Sequence, residues 1–274
     1  MTAEERIPPG LDVTTPNVAR VYDAFLGGKD NFAADRAVVE FALEVTPDAP
    51  KGARANRAFL QRVVRYLVAE AGISQLVDIG SGLPTQGNVH EIAHAANPAA
   101  RVVYVDYDQV VRAHAKALLA SGPNTLFLTA DVREPEKILN DHAVREFIDF
   151  ERPVALLLLA ILHHVNDHED PAGIAARLRE AVVPGSHIAI SSFRMPGPEH
   201  PADAAKTALM EKIFNEKLGT GRWRAHEEIL DWFGDWDLLE PGLVPLPEWR
   251  PEGIVSPRRN ATHHGFVGGV ARKR

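Results

Sequence analysis

The stretch Val77-Asp78-Ile79-Gly80-Ser81-Gly82-Leu83-Pro84-Thr85 decides the fold. It closes the short apolar run Gln75–Ile79, and Gly80 and Gly82 end that run at once. A run of this length bounded by glycine reads as a buried strand turning into a helix, here Thr85–Ala96. The same unit recurs downstream. Arg101–Val105 ends at Asp106 and precedes a helix at Gln109–Leu119. Thr125–Thr129 leads to Asp131 and a helix over about Glu134–Phe147. Val154–Leu162 is apolar on both faces, as a central parallel strand must be, and precedes a helix at Pro171–Val182. His187–Phe193 reads as a fifth strand. Strand–helix alternation at such short intervals predicts a doubly wound, Rossmann-like α/β fold with a mostly parallel sheet.

Upstream, residues 1–16 read as an irregular leader. Val18, Val21, Tyr22 and Phe25 share one face at helical spacing after the capping residue Asn17, which predicts a helix over Asn17–Phe25. Gly27-Gly28-Lys29-Asp30-Asn31 breaks it; further helices are expected at Ala33–Val45, ended by Pro47 and Pro50, and at Arg54–Ala71. Beyond Phe193, helices are expected at Ala202–Leu218 and Ala225–Phe233, and strands at Trp236–Glu240 and His264–Val270 with a hairpin-like connection between them. The whole chain, residues 1–274, reads as one domain, with 1–62 an N-terminal helical lid or cap and 63–274 the core.

Composition narrows the function. The net charge is −7, so the chain gains nothing from counterion release at a phosphate backbone, and nucleic acid is not the expected partner. The basic cluster Arg272-Lys273-Arg274 reads as a solvated tail. With no cysteine there is no disulfide, thiolate metal site or cysteine nucleophile. No apolar run reaches the roughly 18–20 residues that span a bilayer, and the polar, proline-containing start MTAEERIPPG is unlike a secretory signal. A cytoplasmic protein with no membrane partner is expected; the oligomeric state is not legible.

In an open α/β sheet, ligands bind beyond the carboxyl ends of the strands. The first strand delivers Gly80-Ser81-Gly82 there, where backbone can approach a ligand closely. The second delivers Asp106, 24 residues beyond Gly82, a carboxylate able to accept both hydroxyls of a ribose. The third delivers Asp131-Val132, where an acid can accept the exocyclic amine of an adenine. Together they imply an adenosine-bearing cofactor. A dinucleotide fingerprint wants a third glycine where Thr85 stands, and Pro84 removes an N–H from the turn. Asp78 adds a carboxylate that repels a pyrophosphate and suits a cationic amino-acid moiety. S-adenosylmethionine therefore fits better than a nicotinamide dinucleotide.

These motifs carry a resemblance. Val77–Thr85 looks like the first motif of class I methyltransferases in a Gly-Leu-Pro-Thr variant. The segment from Asn17 to Phe32, NVARVYDAFLGGKDNF, resembles the N-terminal signature of a bacterial, actinomycete-type S-adenosylmethionine-dependent methyltransferase family formerly known as a domain of unknown function. Gly87-Asn88-Val89-His90-Glu91, Trp249-Arg250-Pro251 and Gly268-Gly269-Val270-Ala271-Arg272-Lys273 are similar to it as well. The resemblance implies a seven-stranded sheet with an antiparallel last strand and S-adenosyl-L-methionine as cofactor. It implies that Gly80, Ser81 and Gly82 wrap the methionine part, that Asp106 holds the ribose, that Tyr107, Asp131 and Val132 lie at the adenine, and that Ala160 to His163 floor the sulfur.

A sulfonium methyl is already activated, so the protein must chiefly align an acceptor and exclude water. His163, in His163-His164-Val165-Asn166-Asp167-His168, is a candidate general base for a small-molecule acceptor, since imidazole titrates near neutrality. The same run does not match a common metal site, and none is expected. Residues 17–35 are expected to cover the cofactor and to contribute Tyr22 and Asn31, with Asn56 and Arg57 facing the same pocket; the alternative is a helix packed on the sheet edge. His263-His264 reads as a surface pair. Two other functions fit less well: a catalytically silent S-adenosylmethionine-binding regulator and a nicotinamide-dependent oxidoreductase.

Overall fold

A computed structural model describes residues 12–84, 87–119, 122–253 and 259–274, without the side chains of 116–119. The expected leader before residue 12 and the Thr85 position lie outside the described residues. Among the described residues eight strands form one sheet: β1 Gln75–Ile79, β2 Arg101–Asp106, β3 Thr125–Thr129, β4 Ala155–Leu159, β5 His187–Phe193, β6 Asp237–Leu238, β7 Val244–Pro245 and β8 Phe266–Arg272. Their order is β3-β2-β1-β4-β5-β8-β6, with β7 also paired to β8. The first five run parallel, and β8 lies antiparallel to β5, from His187 opposite Arg272 to Phe193 opposite Phe266. The sheet thus has the expected plan, and the turn-rich link before β8 adds the two-residue strand β7 as an eighth.

The helices are α1 Val18–Leu26, α2 Ala33–Val45, α3 Ala49–Arg65, α4 Val89–Ala96, α5 Gln109–Leu119, α6 Pro135–Leu139, α7 His142–Phe147, α8 Pro171–Glu180, α9 Pro201–Leu218, α10 His226–Asp231 and α11 Ala261–His264. One buried cluster packs Val103, Leu156, Leu158 and Ile190 beneath Ile174 and Trp232. A second packs Leu76, Val102, Leu157 and Ala189 beneath Phe59, Val63 and Trp249. Each parallel strand is therefore apolar on both sides because helices cover both.

Several boundaries moved for local reasons. Pro50 does not end a helix but sits in the first turn of α3, where its missing N–H has no intrahelical role, so α3 starts five residues before Arg54. It runs through residue 62, so the expected division between cap and core falls inside a helix, and it widens into a π-helical turn at Tyr66–Glu70. The helix expected over 134–147 is two, because the Asp141 side chain accepts from the Val144 N–H and starts α7 afresh. The strand expected to run to Leu162 stops at Leu159, since Ala160 takes φ +60° and turns the chain. The basic tail is not simply solvated. Lys273 donates to the carbonyls of Arg179 (2.9 Å) and Val182 (2.7 Å).

Candidate functional site

A cavity of about 370 Å³ opens over the carboxyl ends of β1 to β5. Gly80 forms its floor at φ +75°, with its N–H on the Val105 carbonyl at 2.8 Å. A Cβ there would stand 2.6 Å from the Ile161 side chain, so only glycine lets the loop and the turn after β4 meet. Asp106 lies beside it, and its carboxylate is braced by the N–H groups of Gly82 (2.8 Å) and Asp108 (2.9 Å). Those bonds fix the carboxylate while leaving lone pairs for a ligand. Burial pushes Asp106 up to about 6, against the pull of the two backbone donors. Asp78 is pushed up to about 7 by burial, with Arg57 lowering it and Asp106 raising it. Two buried carboxylates beneath a concave floor form a site that gains when a cation arrives.

Ser81, Tyr107, Val132 and Ala160 also line the cavity. Tyr107 is half exposed. Asp131 lines it too, but its carboxylate is forked by Arg133, at 2.9 Å from Nε and 2.6 Å from a terminal nitrogen. Burial raises Asp131, yet the Arg133 bonds and charge outweigh it and hold the carboxyl below its ordinary value. Arg133 also pairs with Glu169 at 2.8 Å and lies 5.7 Å from the Tyr107 ring centre. Sequence reading missed it; the Asp131-Val132-Arg133 spacing carries no signal for a fork between neighbouring side chains.

The N-terminal segment closes one wall. The Asn17 side chain caps α1 by accepting from Ala19 and Arg20, and its amide donates to Asp108 Oδ2 at 2.6 Å. Asp108 in turn caps α5 through Val110 and Val111. Tyr22 lines the cavity; its hydroxyl donates to the Ala53 carbonyl and accepts from Asn56, each at 3.1 Å. Asn56 accepts from Ser191 at 2.7 Å, and the Ser191 hydroxyl accepts from the Ala160 N–H at 2.9 Å. A buried chain of hydrogen bonds thus runs from α1 to the strained turn after β4. Asn56 and Arg57 face this cavity. Asn31 is not among its lining residues. Its amide is committed to Asp23 (2.8 Å) and the Gly28 carbonyl (3.0 Å), bracing the Gly-Gly break from outside.

His163 lines the cavity and is 1% exposed. Its Nδ1 accepts the Phe193 N–H at 3.2 Å, which leaves Nε2 carrying the proton, and its ring stacks on Phe193 at 3.6 Å. Burial holds it well below the ordinary histidine value. His164 is held at about 4 by burial, and its Nδ1 is buried without a partner. His263 and His264 are not a surface pair: both are buried, against Glu248 (3.0 Å) and Asp203 (2.8 Å). They close the α11 turn onto its neighbours.

The fit to the expected cofactor is set by this donor and acceptor pattern. A glycine floor that a Cβ would fill, a braced acceptor at Asp106, a buried acid at Asp78 and a half-exposed ring at Tyr107 suit an adenosyl group with a cationic tail. Residues 4–274 match the family model described as S-adenosyl methyltransferase. A crystal structure of a candidate methyltransferase from Thermobifida fusca YX is 45% identical, covering 98% of this chain and 99% of that one, with a TM-score of 0.92. A DUF574 family protein from Streptomyces avermitilis MA-4680 is 36% identical over 96% and 99%, with a TM-score of 0.89. An O-methyltransferase family protein from Burkholderia thailandensis shares the fold at 14% identity over 95% of this chain and 64% of that one, with a TM-score of 0.52. The curated proteins gave no match. No helix among the described residues is long and apolar enough to cross a membrane. With a family match over residues 4–274, almost its full length, the chain belongs to the S-adenosyl methyltransferase family, whose cofactor is S-adenosyl-L-methionine.

Proposed function

We propose that this chain transfers a methyl group to a small-molecule acceptor held beside the ends of β4 and β5. One observation carries the reading. The cavity continues from the glycine loop to a part lined by residues of α1, α3 and α9, contiguous with the cofactor floor, and its volume of about 370 Å³ is of the size that small-molecule pockets occupy. When bound, S-adenosylmethionine supplies an activated sulfonium methyl. The residues then have distinct tasks. Gly80, Ser81 and Gly82 wrap the amino-acid part, and the Asp78 carboxylate offsets its positive charge. Asp106 accepts the ribose hydroxyls. Tyr107 and Val132 flank the adenine, and Asp131, already forked by Arg133, offers its remaining lone pair to the exocyclic amine. Ala160 floors the sulfur, and α1, from the 17–35 segment, excludes water above it. His163, with Nε2–H toward the chamber side of its bond to Phe193, serves as a hydrogen-bond donor to the acceptor rather than as a base.

Calorimetry with S-adenosylmethionine, S-adenosylhomocysteine and NAD tests the cofactor half, with the first two binding and NAD silent. Incubation of the protein with a metabolite extract and a methyl-labelled donor tests the rest, the label passing to a low-mass product. Label on protein or nucleic acid alone, or tight binding with no transfer, would overturn the small-molecule reading in favour of another acceptor or a silent binder.

A further inference from the structure

The sheet order places the possible subsites in a row. Adenosine acids stand at β3 and β2, the glycine loop at β1, and the space left for an acceptor lies over β4 and β5, with neighbouring strands about 4.8 Å apart. The two ends of the cavity differ sharply. Its charged lining residues, Arg57, Asp78, Asp106, Asp108, Asp131 and Arg133, all stand on or beside the β1–β3 end. At the β4–β5 end no lysine, arginine, aspartate or glutamate lines the cavity among the described residues. That end is aromatic instead. Trp223 stacks on Phe193 at 4.1 Å and 9°, Phe214 meets Trp223 edge-on at 5.4 Å, and Phe266 closes on Phe193 at 5.0 Å.

Neither are these walls equipped to take a proton. Nδ1 of His163 is occupied by the Phe193 N–H. Nδ1 of His164 is buried without a partner, and the Tyr22 hydroxyl is committed to the Ala53 carbonyl. Burial disfavours the imidazolium on both histidines. A charged acceptor would lose its hydration here without a counterion, and because the imidazoles at this end are held in their neutral, weakly basic form, a hydroxyl or protonated amine would give up its proton poorly.

Resting on the methyl-transfer reading above, we propose that the acceptor is an uncharged, flat aromatic heterocycle methylated at an unprotonated, pyridine-type ring nitrogen. The nitrogen lone pair forms the new N–C bond while the C–S pair returns to sulfur. The positive charge passes from sulfonium to the methylated ring, and no proton is lost. The faces of Phe193, Phe214 and Trp223 carry negative quadrupole and stabilise that charge as it moves into the chamber.

The probes are quinoline, its protic counterpart 1-naphthol, and the charged congeners 1-naphthoate and 1-naphthylmethylammonium. Binding to the S-adenosylhomocysteine-loaded protein is read by calorimetry and tryptophan fluorescence. Quinoline is expected to bind at least tenfold more tightly than either charged congener, and Trp223→Ala is expected to erase that preference. Quinoline is also expected to accept labelled methyl at a rate that stays flat from pH 7.5 to 9, since no base titrates. Equal or tighter binding of a charged congener, transfer to 1-naphthol but not to quinoline, or no quinoline binding by a protein that does bind S-adenosylhomocysteine would each overturn the proposal while leaving methyl transfer standing. Failure to bind S-adenosylhomocysteine would overturn both.

Discussion

Asp106 and Asp78 show how much of this site is a matter of single atoms. Asp106 accepts from backbone donors in the turns after β1 and β2, so its removal should loosen those turns while the ladder of the strand that carries it stays paired. Asp106→Ala is expected to weaken S-adenosylmethionine binding at least tenfold, about 1.4 kcal/mol, with an unchanged circular dichroism spectrum; unaltered affinity by calorimetry would remove the ribose assignment. Asp78 yields a prediction in pH. Its folded value of about 7 lies above the ordinary 3.8, so the folded chain binds the extra proton and stability falls as pH rises from 4 through 7. The buried histidines, shifted downward, act in the opposite sense, losing stability as pH falls below 6.5. Comparison with Asp78→Asn cancels them. The melting temperature of the variant minus that of the wild type should climb between pH 4 and 7 and then level off. A difference independent of pH would mean that Asp78 is not the titrating group.

Among the elements, α1 matters more than its length suggests. One residue, Asn17, both caps that helix and bonds the acid that caps α5 beside Asp106. Asn17→Ala should cost about 1 kcal/mol for the lost cap and a further 1 kcal/mol or so for the acceptor left on Asp108. Denaturant titration reads the sum. Asn17→Asp keeps the cap but sets a second carboxylate against Asp108, so it should lower cofactor affinity more than helix stability. If calorimetry finds both variants binding S-adenosylmethionine like the wild type, α1 is a packing element and not part of the site. The cap itself was readable in the sequence, because Asn before an apolar 3.6-residue pattern has a local cause. Its bond to a residue 91 positions away was not.

At the scale of the molecule, α3 and β8 join the N-terminal helices to the sheet. Trp249 is fully buried between them, edge-on to Phe59 at 5.5 Å and to Tyr66 at 6.0 Å. Gly268 makes the approach possible, since a Cβ there would lie 2.6 Å from the Phe59 ring. Arg62 ties down the segment Leu246–Trp249, a strap over α3, through the carbonyls of Trp249 (2.9 Å) and Leu246 (2.7 Å). Trp249→Ala should destabilise by about 3–5 kcal/mol, a fall in melting temperature on the order of 10 °C for a chain of this size. A shift under about 3 °C by calorimetric scanning would show that the strap is not part of the cooperative core.

By itself the sequence determined the alternation of strands and helices, the glycine loop after β1 and the acids at the ends of β2 and β3. Each of these is written in residues adjacent along the chain, through apolar periodicity, glycine's φ freedom and the capping chemistry of Asn and Asp. Tertiary structure alone decided that Arg133 occupies Asp131, that His163 spends Nδ1 on Phe193, that Asn31 turns away from the cavity, and that His263 and His264 are buried. Those outcomes depend on which polar atoms meet once distant segments pack, and burial then sets both their partners and their charge.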